Sequence, residues 1–107
     1  MSGWVYFLHN WSDGEDLYKI GISKHEDISK RIKQLSTGNP HDILLVAKYK
    51  SDNYNRIETM LHNHFYKERK KGEWFSLDYD KSTQFLIKCD DFDRIITLLK
   101  KENPFYK

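Results

Sequence analysis

Four residues far apart in the chain, Tyr6, Lys19, Arg31 and Glu58, are of types suited to the chemistry of a phosphate ester. A phenol can orient or deprotonate water. Ammonium and guanidinium groups neutralise phosphoryl oxygens, the guanidinium through a fixed fork of donors. A carboxylate can hold a divalent cation. Tyr6 lies in Trp4-Val5-Tyr6-Phe7-Leu8 and Lys19 in Leu17-Tyr18-Lys19-Ile20-Gly21, two aromatic and β-branched runs that suit strands. Side chains alternate along a strand, so Val5 and Phe7 share one face with Tyr18, Ile20 and Ile22. Tyr6, Lys19 and Gly21 face the other way. Asp13-Gly14 between the runs marks a hairpin, with a loop longer than the tightest type. The hairpin therefore sets a phenol and an ammonium beside a glycine that permits close approach of a phosphate. The ordinary alternative is that Tyr6 packs under a helix and Lys19 reaches solvent.

The remaining elements must position the other two residues. Asp27 caps a helix of about ten residues whose stripe is Ile28, Ile32 and Leu35, closed by Gly38 and Pro40. Arg31 sits at the edge of that stripe, either as a phosphate donor or as a surface arginine. Ile43 to Lys50 reads as a third strand, apolar on both faces at its start and so expected between layers. Ser51-Asp52 opens the longest helical pattern, Tyr54 to roughly Lys70, with Ile57, Leu61 and Phe65 inward. Glu58 and His62 stack one turn apart beside this stripe. They form a helix pair, bridge to Arg31 or Lys19, or serve a site. Lys67 to Lys71 is a phosphate-contacting stripe or a solvated helix end. Glu73 to Leu77 is a short strand or extended cover, and Asp78 to Lys81 is a turn. A second helical region follows from Ser82, with a break near Cys89 and an apolar stripe of Phe92, Ile95, Ile96 and Leu99, ending at Asn103-Pro104.

A chain of 107 residues forms one domain with one modest core, and its 15% aromatic content means rings fill much of it. No apolar run is long enough to span a membrane. Cys89 stands alone, which excludes an internal disulfide and a cysteine-based zinc site. An intracellular, reducing compartment is expected, cytoplasmic or, in a eukaryote, nuclear. Between Lys19 and Lys71 there are twelve Lys/Arg against six Asp/Glu, whereas Glu73 to Asp93 carries six Asp/Glu against two Lys. A basic front and an acidic back suit a polyanionic partner on one side.

Five short motifs occur in order: Val5-Tyr6-Phe7-Leu8, Lys19-Ile20-Gly21, Arg31 to Leu35, Glu58 with Leu61-His62 and Phe65, and Gly72-Glu73-Trp74-Phe75. Together they resemble the GIY-YIG nuclease superfamily, and more closely its compact phage and bacterial branch. The resemblance implies an α/β domain over residues 1–78, with a central three-stranded antiparallel sheet flanked by helices, and a helical extension over 79–107. It implies metal-dependent hydrolysis of DNA, with RNA not excluded, by a monomer or weak dimer without membrane contact. A catalytically silent nucleic-acid-binding domain of the same fold is the alternative. The implied roles are Tyr6 as base or water-orienting group, Arg31 as phosphate clamp, and Glu58 as ligand of Mg²⁺ or Mn²⁺. Lys19 stands where many members carry tyrosine, and no late asparagine can be placed. Tyr18, Gly21 and His62 are expected to touch phosphate or support the ligands, His62 as a supporting group rather than a metal ligand. Lys24, Lys30, Lys67, Arg69, Lys70 and Lys71 are expected to contact nucleic acid. The positive charge of Lys19 is expected to lower the Tyr6 pKa.

Overall fold

The computed structural model describes residues 1–12, 14–37 and 42–102. Asp13, Gly38, Pro40, Asn103 and Pro104 lie outside the described residues. Strands β1 (Gly3–Ser12) and β2 (Glu15–Ser23) form the expected antiparallel hairpin. Ser12 pairs with Glu15, so the connection is the two-residue type and not the longer loop expected, with Gly14 at φ 79°. Such a turn needs a left-handed residue, which glycine supplies at no steric cost.

Strand β3 (Leu44–Ser51) pairs antiparallel with the other side of β1. Strands β4 (Arg69–Lys71) and β5 (Trp74–Ser76) extend the sheet beyond β2, giving the order β3-β1-β2-β5-β4. The sheet has five strands where three are expected. The added strands are three residues each, and β4 is the basic run itself, with no apolar alternation to reveal it. Helix α2 (Tyr54–His64) accordingly stops well before Lys70. A 3₁₀ turn, Tyr66–Glu68, then leads the chain into β4.

Helices cover both faces. Ile57, Leu61 and Phe65 pack on Val5, Phe7 and Ile20, joined by Phe85, Cys89 and Ile96 of α4 (Phe85–Glu102). On the opposite face Ile32 and Leu35 of α1 (Ser29–Ser36), with Ile28 before it, cover Tyr6 and Leu8. Asp78 to Lys81 is not a simple turn: Asp78 caps a short helix, α3 (Tyr79–Ser82), by accepting the Lys81 amide at 2.8 Å. Helix α4 runs through Cys89 without a break, because Cys89 points inward while Asp90 faces out and takes Arg94 at 2.6 Å one turn on. The apolar start of β3 is not sandwiched as expected. Leu44, Leu45 and Val46 are largely exposed, since β3 is the sheet edge and Val46 sits at a bulge opposite Phe7 and Leu8.

One polar network ties α4 to the junction of β3 and α2. The Asp93 carboxylate accepts from Tyr49 Oη at 2.9 Å, and from Ser51 Oγ and Asn53 Nδ2 at 2.8 Å each. Burial pushes this carboxyl up. The three donors and the Lys100 charge outweigh burial and hold it below its ordinary value. A depressed carboxyl stabilises the fold above the ordinary carboxylate range, and that contribution is lost as pH falls through the folded value. Asp93→Ala is therefore expected to cost about 1–3 kcal/mol near neutral pH. The gap from wild type should close as pH drops below about 4. Urea unfolding at both pH values checks this; a gap that persists in acid would contradict it.

Candidate functional site

Tyr6 is 1% exposed and lies directly across from Gly21 in the β1–β2 ladder. A Cβ built on Gly21 would stand 2.4 Å from Cζ and from the hydroxyl of Tyr6. The far end of the ring therefore rests on Gly21, and the space that the sequence assigns to an approaching phosphate holds the phenol instead. The Tyr6 hydroxyl is buried and completes no hydrogen bond among the described residues, although the Arg31 guanidinium is near enough to pull on it as a donor. Such an orphan costs about 1–3 kcal/mol. Tyr6 lines a cavity of about 280 Å³ together with Ser23, His25, Lys30, Arg31 and Gln34. Arg31 reaches it because α1 lies over the Tyr6 face of the sheet and carries Arg31 beside Ile32.

A second cluster sits by the end of β2. Glu58 and His62 come from adjacent turns of α2, and Glu73 from the turn between β4 and β5. The three offer donor atoms all within 4.8 Å of one another. Strand β5 pairs with β2 only from Leu17 to Lys19, so its lead-in residue Glu73 falls beside Ile20, whose amide donates to the Glu73 carbonyl at 3.3 Å. Gly72 at φ 58° makes the preceding turn. His62 Nε2 lies 2.8 Å from the Ile20 carbonyl oxygen. A carbonyl only accepts, so Nε2 carries a proton, which leaves Nδ1 as the ring nitrogen able to act as a ligand. This is the arrangement common among metal-binding histidines. The buried Lys19 lies 3.3 Å from Glu73 Oε1.

The Glu58 carboxyl is pushed from 4.5 up to about 7, first by burial, then by the charge and hydrogen bond of Glu73, with Lys19 opposing. Two half-buried carboxyls so close repel unless they share a proton or a cation. The donor set of two carboxylates and an imidazole nitrogen fits a divalent cation.

Helix α2 packs on the face opposite Tyr6, yet the two groups communicate. Burial pushes the Tyr6 phenol up, the Arg31 guanidinium pulls it down, and Glu73 and Glu58 push it further up. The expected lowering by Lys19 does not occur. Burial dominates, and Lys19 is taken up by Glu73. Tyr6 is a neutral phenol in this state.

Among the other expected residues, Tyr18 shares the face of Phe7, stacked on it at 4.7 Å, and so faces away from the Tyr6 cavity. Lys30 lines the cavity. Lys24 lies in the bend after β2. Lys67, Arg69, Lys70 and Lys71 belong to the 3₁₀ turn and β4, not to a helix end. Lys70 pairs with Glu15 at 3.4 Å, and Arg69 Nε donates to the Gly72 carbonyl at 2.5 Å. Sequence reasoning missed Glu73 and His25. Glu73 was legible only as part of a motif; its signal is a glycine turn followed by inward aromatics. His25 carries no local signal.

The T5orf172 domain family model matches residues 3–91. That family is linked to the GIY-YIG nuclease superfamily, which is the level at which the sequence resemblance holds. No curated protein and no solved structure matches the chain.

Two outcomes follow from this geometry. Gly21→Ala should displace the Tyr6 ring while leaving the hairpin paired, visible as a perturbed Tyr6 resonance with unchanged far-ultraviolet circular dichroism. Glu58 binds its proton more tightly when folded, so stability falls as pH rises from 4.5 to about 7. In chelator, Glu58→Gln should raise the melting temperature near pH 8 by several degrees, the shift produced by about 1 kcal/mol in a domain of this size. The gain should vanish below about pH 4.5. No gain at high pH would contradict the buried carboxyl pair.

Proposed function

The chain belongs to the T5orf172 domain family, and from that premise we propose that it is a metal-dependent endonuclease hydrolysing DNA phosphodiester bonds. The observation that carries the reading is the convergence at one end of β2. A buried phenol shares a cavity with Arg31, which acts on it most strongly among the charged groups, and the Glu73 and Glu58 carboxyls act on it electrostatically.

In this reading the scissile phosphate enters the cavity beside Tyr6. Arg31 grips its non-bridging oxygens in a bidentate pair, offsetting the charge that grows on them. The Tyr6 hydroxyl completes a hydrogen bond with the attacking water or a phosphoryl oxygen, which orients the water in line with the leaving sugar oxygen. Water oxygen bonds to phosphorus as the phosphorus–sugar oxygen bond breaks; the water gives up a proton to solvent, and the departing sugar oxygen takes one from solvent to leave as a hydroxyl. Glu58, Glu73 and His62 Nδ1 would hold Mg²⁺ or Mn²⁺, and the nitrogen donor favours Mn²⁺. When bound, such a cation supplies positive charge at the phosphate and leaving oxygen. Lys19 neutralises part of the acid cluster and stands ready as a further phosphate donor. Residues 1–78 carry all these groups, and the helices beyond them form an extension that completes the core.

A catalytically silent nucleic-acid-binding domain is the second reading. The Lys19–Glu73 ion pair favours it, because the acid cluster is satisfied in part without a metal. Plasmid nicking separates the two. Wild type should nick supercoiled DNA with Mn²⁺ or Mg²⁺ and stop in chelator. Tyr6→Phe, Arg31→Ala and Glu58→Gln should each lose at least about a hundredfold in rate. Salt-sensitive DNA binding without any nicking would sink the enzyme reading and leave the silent domain.

A further inference from the structure

We propose that Trp4, flanked by Lys48 and Lys50, is a stacking platform for an unpaired nucleobase, so that the protein selects nucleic acid with an unpaired nucleotide beside the bound phosphate. The inference rests on the nucleic-acid reading above and goes beyond it by naming the feature that is recognised.

Trp4 lies two residues before Tyr6 on β1, so both side chains stand on the same face of the sheet. Its cross-strand partners are Lys50 on β3 and Ser23 on β2, and Tyr6 pairs with Lys48. The four side chains Trp4, Tyr6, Lys48 and Lys50 thus form one block. Ser23 lines the Tyr6–Arg31 cavity, which makes the block continuous with it. Tyr6 is covered by α1 and borders the cavity, whereas Trp4 is outside both buried clusters and only half-buried. Lys48 Nζ is 5.1 Å and Lys50 Nζ 5.9 Å from the centre of the Trp4 ring. Lys48 is shared with Glu26 at 2.8 Å.

A ring with two ammonium groups close to it, about 6.6–6.8 Å along β1 from Tyr6, matches the composition of a nucleotide. It offers a π-face for the base and charge for the flanking phosphates. Stacking of a base on an aromatic ring outweighs an exposed cation–π contact, so an incoming base can move a flexible lysine off the ring face. The displaced ammonium then meets the backbone. A base inside a duplex already has neighbours on both faces. Only an unpaired, terminal or extruded base can use Trp4.

The test is fluorescence anisotropy in chelator, where no cleavage enters. The probes are a blunt DNA duplex and the same duplex carrying a single-stranded flap. Trp4→Leu keeps apolar bulk and removes the aromatic face; Trp4→Phe keeps a ring. Circular dichroism confirms that both fold. Wild type and Trp4→Phe should bind the flapped DNA about tenfold tighter than the blunt duplex, and Trp4→Leu should lose that preference. Equal binding of the two probes by wild type, or equal weakening of both by Trp4→Leu, overturns the proposal. Equal binding of the two probes by wild type, with nicking intact, sinks the platform alone. Retained preference without nicking sinks only the nuclease reading.

Discussion

The rest of the site depends on one close contact, the far end of the Tyr6 ring against the bare Cα of Gly21. Directly opposed residues in an antiparallel pair leave little room between side chains. Here the whole of that room goes to one phenol, since a Cβ on Gly21 would come within 2.4 Å of the ring. The far end of the ring thereby rests on β2 at Gly21, and the ring packs with Ile28 and Ile32. Its hydroxyl ends up buried beside Arg31 without completing a hydrogen bond. A strand carrying alanine there would lift the ring. The unmet hydroxyl is a local cost of order 1–3 kcal/mol, and a well-packed aromatic core offsets it.

The second constraint is the shortness of β5. Were β5 to continue along β2 past Lys19, the outer edge at Ile20 would be filled by ladder hydrogen bonds. Instead pairing stops, and Ile20 exposes one amide and one carbonyl at the edge. Glu73 takes the amide through its backbone and His62 takes the carbonyl through its ring. Those two bonds fix a turn residue and a helix residue at the same point. They let α2, which packs on the face away from Tyr6, bring Glu58 and His62 to the strand end that Tyr6 approaches from the other face. An unfinished strand edge is how a helix residue and a turn residue meet at Ile20.

How much of this can be read from the chain follows from the range of each interaction. The two faces of the hairpin and the inward stripes of α1 and α2 are local periodicities, and each matches the structure: Val5, Phe7 and Ile20 inward against Ile57 and Leu61, Tyr6 opposite. The T5orf172 match supports the superfamily link carried by the motifs. Strands of three residues have no period to detect, so the basic run of β4 reads from sequence as a phosphate-contacting stripe or a solvated helix end and not as a strand. The exposure of Leu44 to Val46 depends on which strand is the sheet edge, a property of topology and not of composition. The direction of the Tyr6 shift was misjudged for the same reason. Charge along the chain was visible, but burial and the pairing of Lys19 with Glu73, fifty-four residues away in sequence, were not.

The acid cluster shows how the two carboxyls can coexist half-buried. Glu58 and Glu73 face each other with one ammonium, Lys19, close at hand. Two full negative charges against one positive charge would leave net charge in a partly desolvated place, which is costly. The arrangement avoids this by raising the Glu58 carboxyl to about 7, so that a proton stays between the acids into the neutral range. Lys19 balances the remaining charge. The cluster is therefore close to neutral on its own terms, and the position between Glu58, Glu73 and His62 is one where a proton and a cation exclude each other. A site so built balances its own charge and offers three donors to a metal.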